Sequence, residues 1–317
     1  MRKLPPFAAA LLLLGAASPL PALADTPSVA VSIKPLQSLV AGVMGDLGRP
    51  DLLVEGASSP HTYSLRPSDA RALAGADMVV WTGPALETFL IEPLETLAGD
   101  ARVLTVAGAE GVELLPIRST GAWEGHHHDH GHEHGHDHGH DHSGSHDAHL
   151  WLDPHNAAAV VELVADALSE MDAQNAAAYA ANADAVLARL DALDADLRSR
   201  LAPVQDVPFV VFHDAYQYFG AHYGLNAVGS ITVSPELPPG AQRLREIQDT
   251  IADRGARCVF SEPQFEPDLV DTVVEGTDVR RGELDPLGVA IEEGPDQYFR
   301  LMTDLADNLV ACLSEAS

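Results

Sequence analysis

Short apolar runs recur along the chain, each followed by a stretch in which apolar residues return every three or four positions. In the first half, VAVSI from Val29, DLLVE from Asp51, DMVVWT from Asp77 and RVLTV from Arg102 read as buried strands. Helical stretches lie between them. Pro35 opens one that runs to about Leu47, Ser68 or Asp69 can cap a short one over DARALAGA, and Gly83-Pro84 starts another toward Leu90. Further on, Asp153-Pro154 supplies an N-cap and a first-turn proline for a helix through about Met171. The second half repeats the alternation. Strands are predicted over 208–215, 225–231, 257–261 and near 279–284, with helices over 214–223, 239–254, 266–275 and 296–312. Strand-helix alternation of this kind points to open, mostly parallel sheets.

One segment breaks the rhythm. Over 173–201, Ala183, Val186, Leu187, Leu190, Leu193, Leu197 and Leu201 recur at helical spacing with Asp and Arg between them, and neither Gly nor Pro interrupts. A helix of that length is a rod of ~43 Å, longer than one lobe needs. A coiled coil would require a sustained heptad, which is missing, so the rod reads as a brace between lobes. The expected fold is α/β: two lobes with central, mostly parallel sheets, spanning 25–172 and 202–317, joined by one long rigid helix.

Composition adds the compartment. Residues 1–24 read as a secretory signal: Arg2 and Lys3 precede an apolar run to Leu14, and Ala22-Leu23-Ala24 is a small-x-small cleavage site. Pro19 and Pro21 break the run before the ~20 residues a membrane anchor requires. Without that segment, sixteen basic residues face 47 acidic ones, a formal charge of −31. Such a balance argues against nucleic acid or an anionic membrane as partner and favours cations. Cys258 and Cys312 are the only cysteines. In an exported, oxidising compartment the pair is most simply a disulfide, closing a loop worth roughly 3–4 kcal/mol in the chain-entropy model. A thiolate metal pair is the other reading, though C-x-x-C spacing is absent.

Candidate chemistry is dominated by histidine. Of 16 histidines, 11 crowd into one tract: His126, His127, His128, His130, His132, His134, His136, His138, His140, His142 and His146. Only Gly, Ser, Asp and Glu separate them, so the 121–147 loop cannot build a packed core. Neutral imidazoles donate lone pairs to transition metals, and the interleaved carboxylates add oxygen ligands. The tract reads as an accessory, low-affinity metal sponge; the bland alternative is a solvated linker. Five histidines lie elsewhere. His61 falls in a loop after a strand, His149 just before a helix start, and His213 at the C-terminal end of a strand. Ligand sites in open α/β sheets form beyond the carboxyl ends of strands, so these three are expected to meet between the lobes. Three imidazoles are a standard zinc shell. His155 and His222 do not share the pattern and read as structural or surface residues. For a fourth ligand the sequence offers Asp285, in LDPLG, which could equally be a turn-former before Pro286. Glu262, in SEPQF, suits a role behind an imidazole, fixing its tautomer.

The segments PHTYSLRPSD, HLWLDPHN, VFHDAYQYFG, SEPQF and LDPLG occur in this order around a His-rich insertion. Together they resemble the zinc-specific branch of the metal-binding solute-binding proteins of ABC importers, over essentially the whole chain after the signal. The resemblance implies two α/β lobes joined by a long helix, metal held by histidines matching His61, His149 and His213, and a disulfide matching Cys258 and Cys312. It further implies a periplasmic, monomeric protein that binds Zn2+ and delivers it to an inner-membrane permease, without enzymatic activity. One departure stands out. Many zinc members carry an acidic residue just before the first ligand histidine, where this chain has Pro60, which leaves Asp285 or water as fourth ligand. Other readings of the same residues are a manganese or iron importer component, a passive zinc buffer, and a zinc hydrolase. For the last, no HExxH helix occurs and no clear general base accompanies the three; the candidate beside His213, Asp214, could face away.

Overall fold

The computed structural model describes residues 26–118, 123, 146–232, 235 and 239–314. The signal segment and ten of the eleven tract histidines (His126, His127, His128, His130, His132, His134, His136, His138, His140 and His142) lie outside the described residues. Strands β1 (Val29–Val31), β2 (Asp51–Leu52), β3 (Met78–Trp81) and β4 (Arg102–Thr105) form one parallel sheet in the order β2-β1-β3-β4. A second parallel sheet, ordered β6-β5-β7-β8, is built from β5 (Phe209–His213), β6 (Ala227–Thr232), β7 (Cys258–Ser261) and β8 (Arg280–Glu283). The fully buried patterns of β3 and β5 follow from helices covering both faces of each sheet, which is why those strands are continuously apolar in sequence. In both sheets the order reverses beside the first strand, so each has a topological switch point where a crevice opens.

The helices follow in chain order: α1 (Lys34–Met44), α2 (Pro67–Gly75), α3 (Ile91–Leu97), α4 (Pro154–Met171), α5 (Ala176–Leu201), α6 (Gln217–Tyr223), α7 (Ala241–Arg254), α8 (Asp268–Val274) and α9 (Gln297–Leu313). Two local expectations are corrected. Asp69 does not occupy the N-cap of α2; it sits at N3, and its carboxylate accepts the backbone N–H of Arg66 at 2.8 Å. No α-helix begins at Pro84, because the chain there folds around Glu87. That carboxyl is buried and accepts the N–H groups of Thr82 and Gly83 and the hydroxyl of Ser32. Burial pushes its pKa up against those hydrogen bonds.

The long helix is α5, entered through a turn over 173–175. It buries Tyr179, Ala183, Val186, Leu190, Leu193, Leu197 and Leu201 on one stripe. That stripe packs into an apolar cluster shared with α1 and α4 of the first lobe and α9 of the second. Arg200 also pairs with Asp307 of α9 at 2.9 Å. A further bond ties α9 to the first lobe, where the Tyr298 hydroxyl donates to the Trp151 carbonyl at 2.9 Å. Cys258 of β7 and Cys312 of α9 form a disulfide, which pins α9 to its own sheet. Continuous packing through α5 and α9 therefore fixes how the two crevices face each other.

Candidate metal centre

His61, His149 and His213 arrive from three separate places and meet between the lobes. His61 belongs to the loop after β2. That loop is stapled by the Tyr63 hydroxyl, whose single O–H is shared between the Leu53 carbonyl at 3.0 Å and the Asp69 carboxylate at 2.8 Å. His149 stands directly before the short turn Leu150–Leu152 that leads into α4, whose N-terminus Asp153 caps by accepting the His155 N–H at 2.8 Å. His213 is the last residue of β5, at the switch point of the second sheet.

Their Nε2 atoms converge. His149 Nε2 lies 3.1 Å from His61 Nε2 and 3.2 Å from His213 Nε2. Ring centroids are 5.1 to 5.8 Å apart. A tetrahedral ion with ~2.0–2.1 Å nitrogen bonds holds its ligands ~3.3 Å apart, so the observed spacing needs little adjustment. Among the described residues, these three are the ligand-type side chains that come within reach of a common ion. The cavity beside them is ≈ 10 Å³, room for about one water-sized particle. Trp151 and Phe265 flank it, their rings 5.3 Å from His149 and 5.7 Å from His213.

Two of the imidazoles are held from behind by carboxylates. Asp147 Oδ1 lies 2.7 Å from His149 Nδ1, and Glu262 Oε1 lies 2.7 Å from His213 Nδ1. A carboxylate at Nδ1 places the ring proton there and leaves Nε2 with its lone pair toward the cavity. Glu262 thus stands where its sequence context suggested. Asp147 escaped the sequence reading, although the D-x-H spacing of Asp147 and His149 in HDAHLW was the available signal. The protonation tendencies of His61 and His213 differ. Burial and the two neighbouring rings push His61 well below its ordinary value. Burial also pulls His213 down, but Glu262, with Asp214 and Asp147, outweighs it and leaves the pKa raised.

The remaining candidates lie outside the cluster. Asp285 is engaged by Gln264 and by its own loop: Oδ1 accepts from Gln264 Nε2 at 2.7 Å and from the Leu287 N–H at 3.0 Å, and Oδ2 accepts from the Val289 N–H at 2.5 Å. Asp214, the candidate base, is gripped by the Arg118 guanidinium, which also lies over the Trp123 ring. His155 is exposed on the first turn of α4. His222 bridges two carboxylates, Asp153 at 3.0 Å and Asp194 at 2.7 Å. His146, the described member of the tract, pairs in an antiparallel bridge with Pro116 and closes the base of the insertion.

Residues 29–312 match the family model described as zinc-uptake complex component A, periplasmic. The high-affinity zinc uptake system protein ZnuA of Brucella suis is 49% identical over 310 residues, covering 92% of this chain and 93% of that protein. Its namesake in Paracoccus denitrificans is 40% identical, covering 93% and 94%. Among solved structures, a ZnuA crystal structure aligns with TM-score 0.75 at 26% identity, covering 92% of this chain and all of the other. A zinc-bound ZnuA deletion mutant aligns with TM-score 0.75 at 27% identity over the same shares. Among the described residues, no helix is long and apolar enough to cross a membrane. The chain belongs to the periplasmic zinc-uptake component A family.

Proposed function

We propose that this protein captures Zn2+ in the periplasm, after cleavage near Ala24, and delivers it as cargo to an ABC-type permease of the inner membrane. The observation that carries the reading is the convergence of three Nε2 atoms across the lobe boundary at ion-coordinating distances. His61, His149 and His213 are the proposed ligands. Water completes the shell, because the carboxylate of Asp285 is committed to Gln264 and two amides of its own loop. Three nitrogens favour zinc over manganese or other hard ions, which call for more oxygen. The functional units are the lobes 25–172 and 202–317 with the 173–201 connector, acting as a monomer. The His-rich loop serves as a low-affinity reservoir.

Calorimetric titration of the chain lacking residues 125–145 with zinc tests this reading. One tight site is expected to remain, and alanine at His61, His149 or His213 is expected to remove it. Loss of all tight binding with the tract alone would place the site in the tract and overturn the assignment. Competition with manganese at the apo protein should leave zinc bound.

A further inference from the structure

The loop that follows Asp285 is fastened from the opposite lobe by a lysine outside the imidazole cluster. Lys34 begins α1, just after the first strand of the N-terminal lobe, and is only 8% exposed. Its Nζ donates to the carbonyls of Gly288 at 3.3 Å, Val289 at 2.9 Å and Ile291 at 3.1 Å. An ammonium has three N–H donors, and one loop of the C-terminal lobe accepts all three. The same loop is shaped within its own lobe by Asp285 and by Gln297, whose Nε2 donates to the Leu287 carbonyl at 2.8 Å. Gly288 adopts φ +65°, and a Cβ there would collide with Gln297. At its leading end Pro286 and Leu287 wall the metal cavity, and Trp151 Nε1 donates to the Pro286 carbonyl at 2.8 Å.

We propose that Lys34 is a positioning residue for metal retention. Its ammonium holds the 285–291 loop against the N-terminal lobe, keeps Pro286 and Leu287 over the three imidazoles, and so sets the rate at which a bound ion escapes. It takes no part in ligation. The inference rests on the metal-capture reading above. Lifting the loop requires a buried ammonium to release three acceptors together, which is costly because hydrogen bonds to charged groups are among the stronger ones.

The test is chelator-driven zinc release from the full chain in a stopped-flow instrument. The slow phase reports the cleft, and its absence in the unsubstituted protein would refute the capture reading, whatever Lys34 does. Given that phase, Lys34→Met is expected to accelerate it on the order of tenfold with zinc stoichiometry unchanged. Lys34→Arg, which keeps the charge but offers a planar fork, should fall between. Combined with Asp285→Asn, which loosens the same loop from its other side, Lys34→Met should add less than its separate effect. Unchanged release in both Lys34 variants, or accelerations that simply multiply in the double variant, overturns the proposal. Should Lys34→Met fail to fold, the same cycle is run with Lys34→Arg.

Discussion

Removing the carboxylate behind His149 isolates what orientation contributes to metal binding. Asp147 Oδ1 contacts both the Nδ1 of His149, at 2.7 Å, and its backbone N–H, at 3.0 Å, and both residues are 6% exposed. The backbone of Asp147 is held independently. Its N–H donates to the Leu115 carbonyl at 2.8 Å, and its carbonyl accepts the Tyr218 hydroxyl at 2.9 Å. Asp147→Ala therefore deletes the anchor while the segment stays in place. Loss of such a partner typically lowers metal affinity by about 10–100-fold, or about 1.4–2.8 kcal/mol at 1.4 kcal/mol per decade. Burial of the pair, which limits screening by salt, places the expectation toward the upper end. Asp147→Asn keeps an acceptor oxygen and loses the charge, so about tenfold is expected. The assay is chelator competition at neutral pH on the chain lacking 125–145. Affinity within about twofold of the parent for Asp147→Ala, against the 10–100-fold expectation, would falsify the claim that this carboxylate aims the imidazole.

Three further outcomes are expected. Zinc affinity should fall on acidification through His213, whose raised pKa means that proton competition begins above the ordinary histidine value of about 6.5; an inflection of Kd below that value would contradict the assignment. The tie from His222 to Asp153 and Asp194 should be pH-dependent with a definite sign. Burial lowers the His222 pKa, but both carboxylates raise it further, so its stabilising contribution is complete below about pH 6.5 and is lost as pH rises through the elevated value. A Tm difference between the parent and His222→Gln that widens toward alkaline pH would refute it. Replacing Cys258 and Cys312 by serine should lower unfolding stability by roughly 3–4 kcal/mol in a denaturant titration, while the tight zinc site, to which neither cysteine contributes a ligand, keeps its stoichiometry.

The fold was legible because its signals are local. Apolar runs such as those of β3 and β5, and the uninterrupted stripe from Tyr179 to Leu201, report burial directly in residue type. The start of the helix near Gly83-Pro84 was not legible, because a buried glutamate overrides the Pro signal there. Glu87 gathers two backbone N–H groups and a hydroxyl from 55 positions earlier in the chain, a partnership invisible to a local window. The three histidines were legible through their shared place at strand ends and helix starts. Their carboxylates were less so. Glu262 reaches His213 from 49 positions away, whereas Asp147 sits two residues from His149 and was hidden by the acidic low-complexity tract it adjoins.

The placement of those carboxylates bears on how one cleft can favour nitrogen coordination and still attract a cation. The three imidazole Nε2 atoms converge on one point, while Asp147 and Glu262 stand 2.7 Å from the far ring nitrogens of His149 and His213. Oxygen placed directly in the shell would suit harder ions. Held behind the rings, it strengthens the nitrogen donors and fixes their tautomers without becoming a ligand itself. The division also falls along the lobes: the N-terminal lobe supplies two imidazoles and one carboxylate, the C-terminal lobe one of each. Neither half holds three nitrogens, so a three-nitrogen shell requires the packing through α5 and α9 that keeps the crevices opposed. A substitution such as Leu197→Ala, buried in α5 and outside the imidazole cluster, should then weaken zinc only as far as it lets the lobes drift. Cavity creation of this kind costs about 2–5 kcal/mol in stability. A variant that lost stability to that extent yet bound zinc as tightly as the parent would show that the lobes stay in register without the α5 contact.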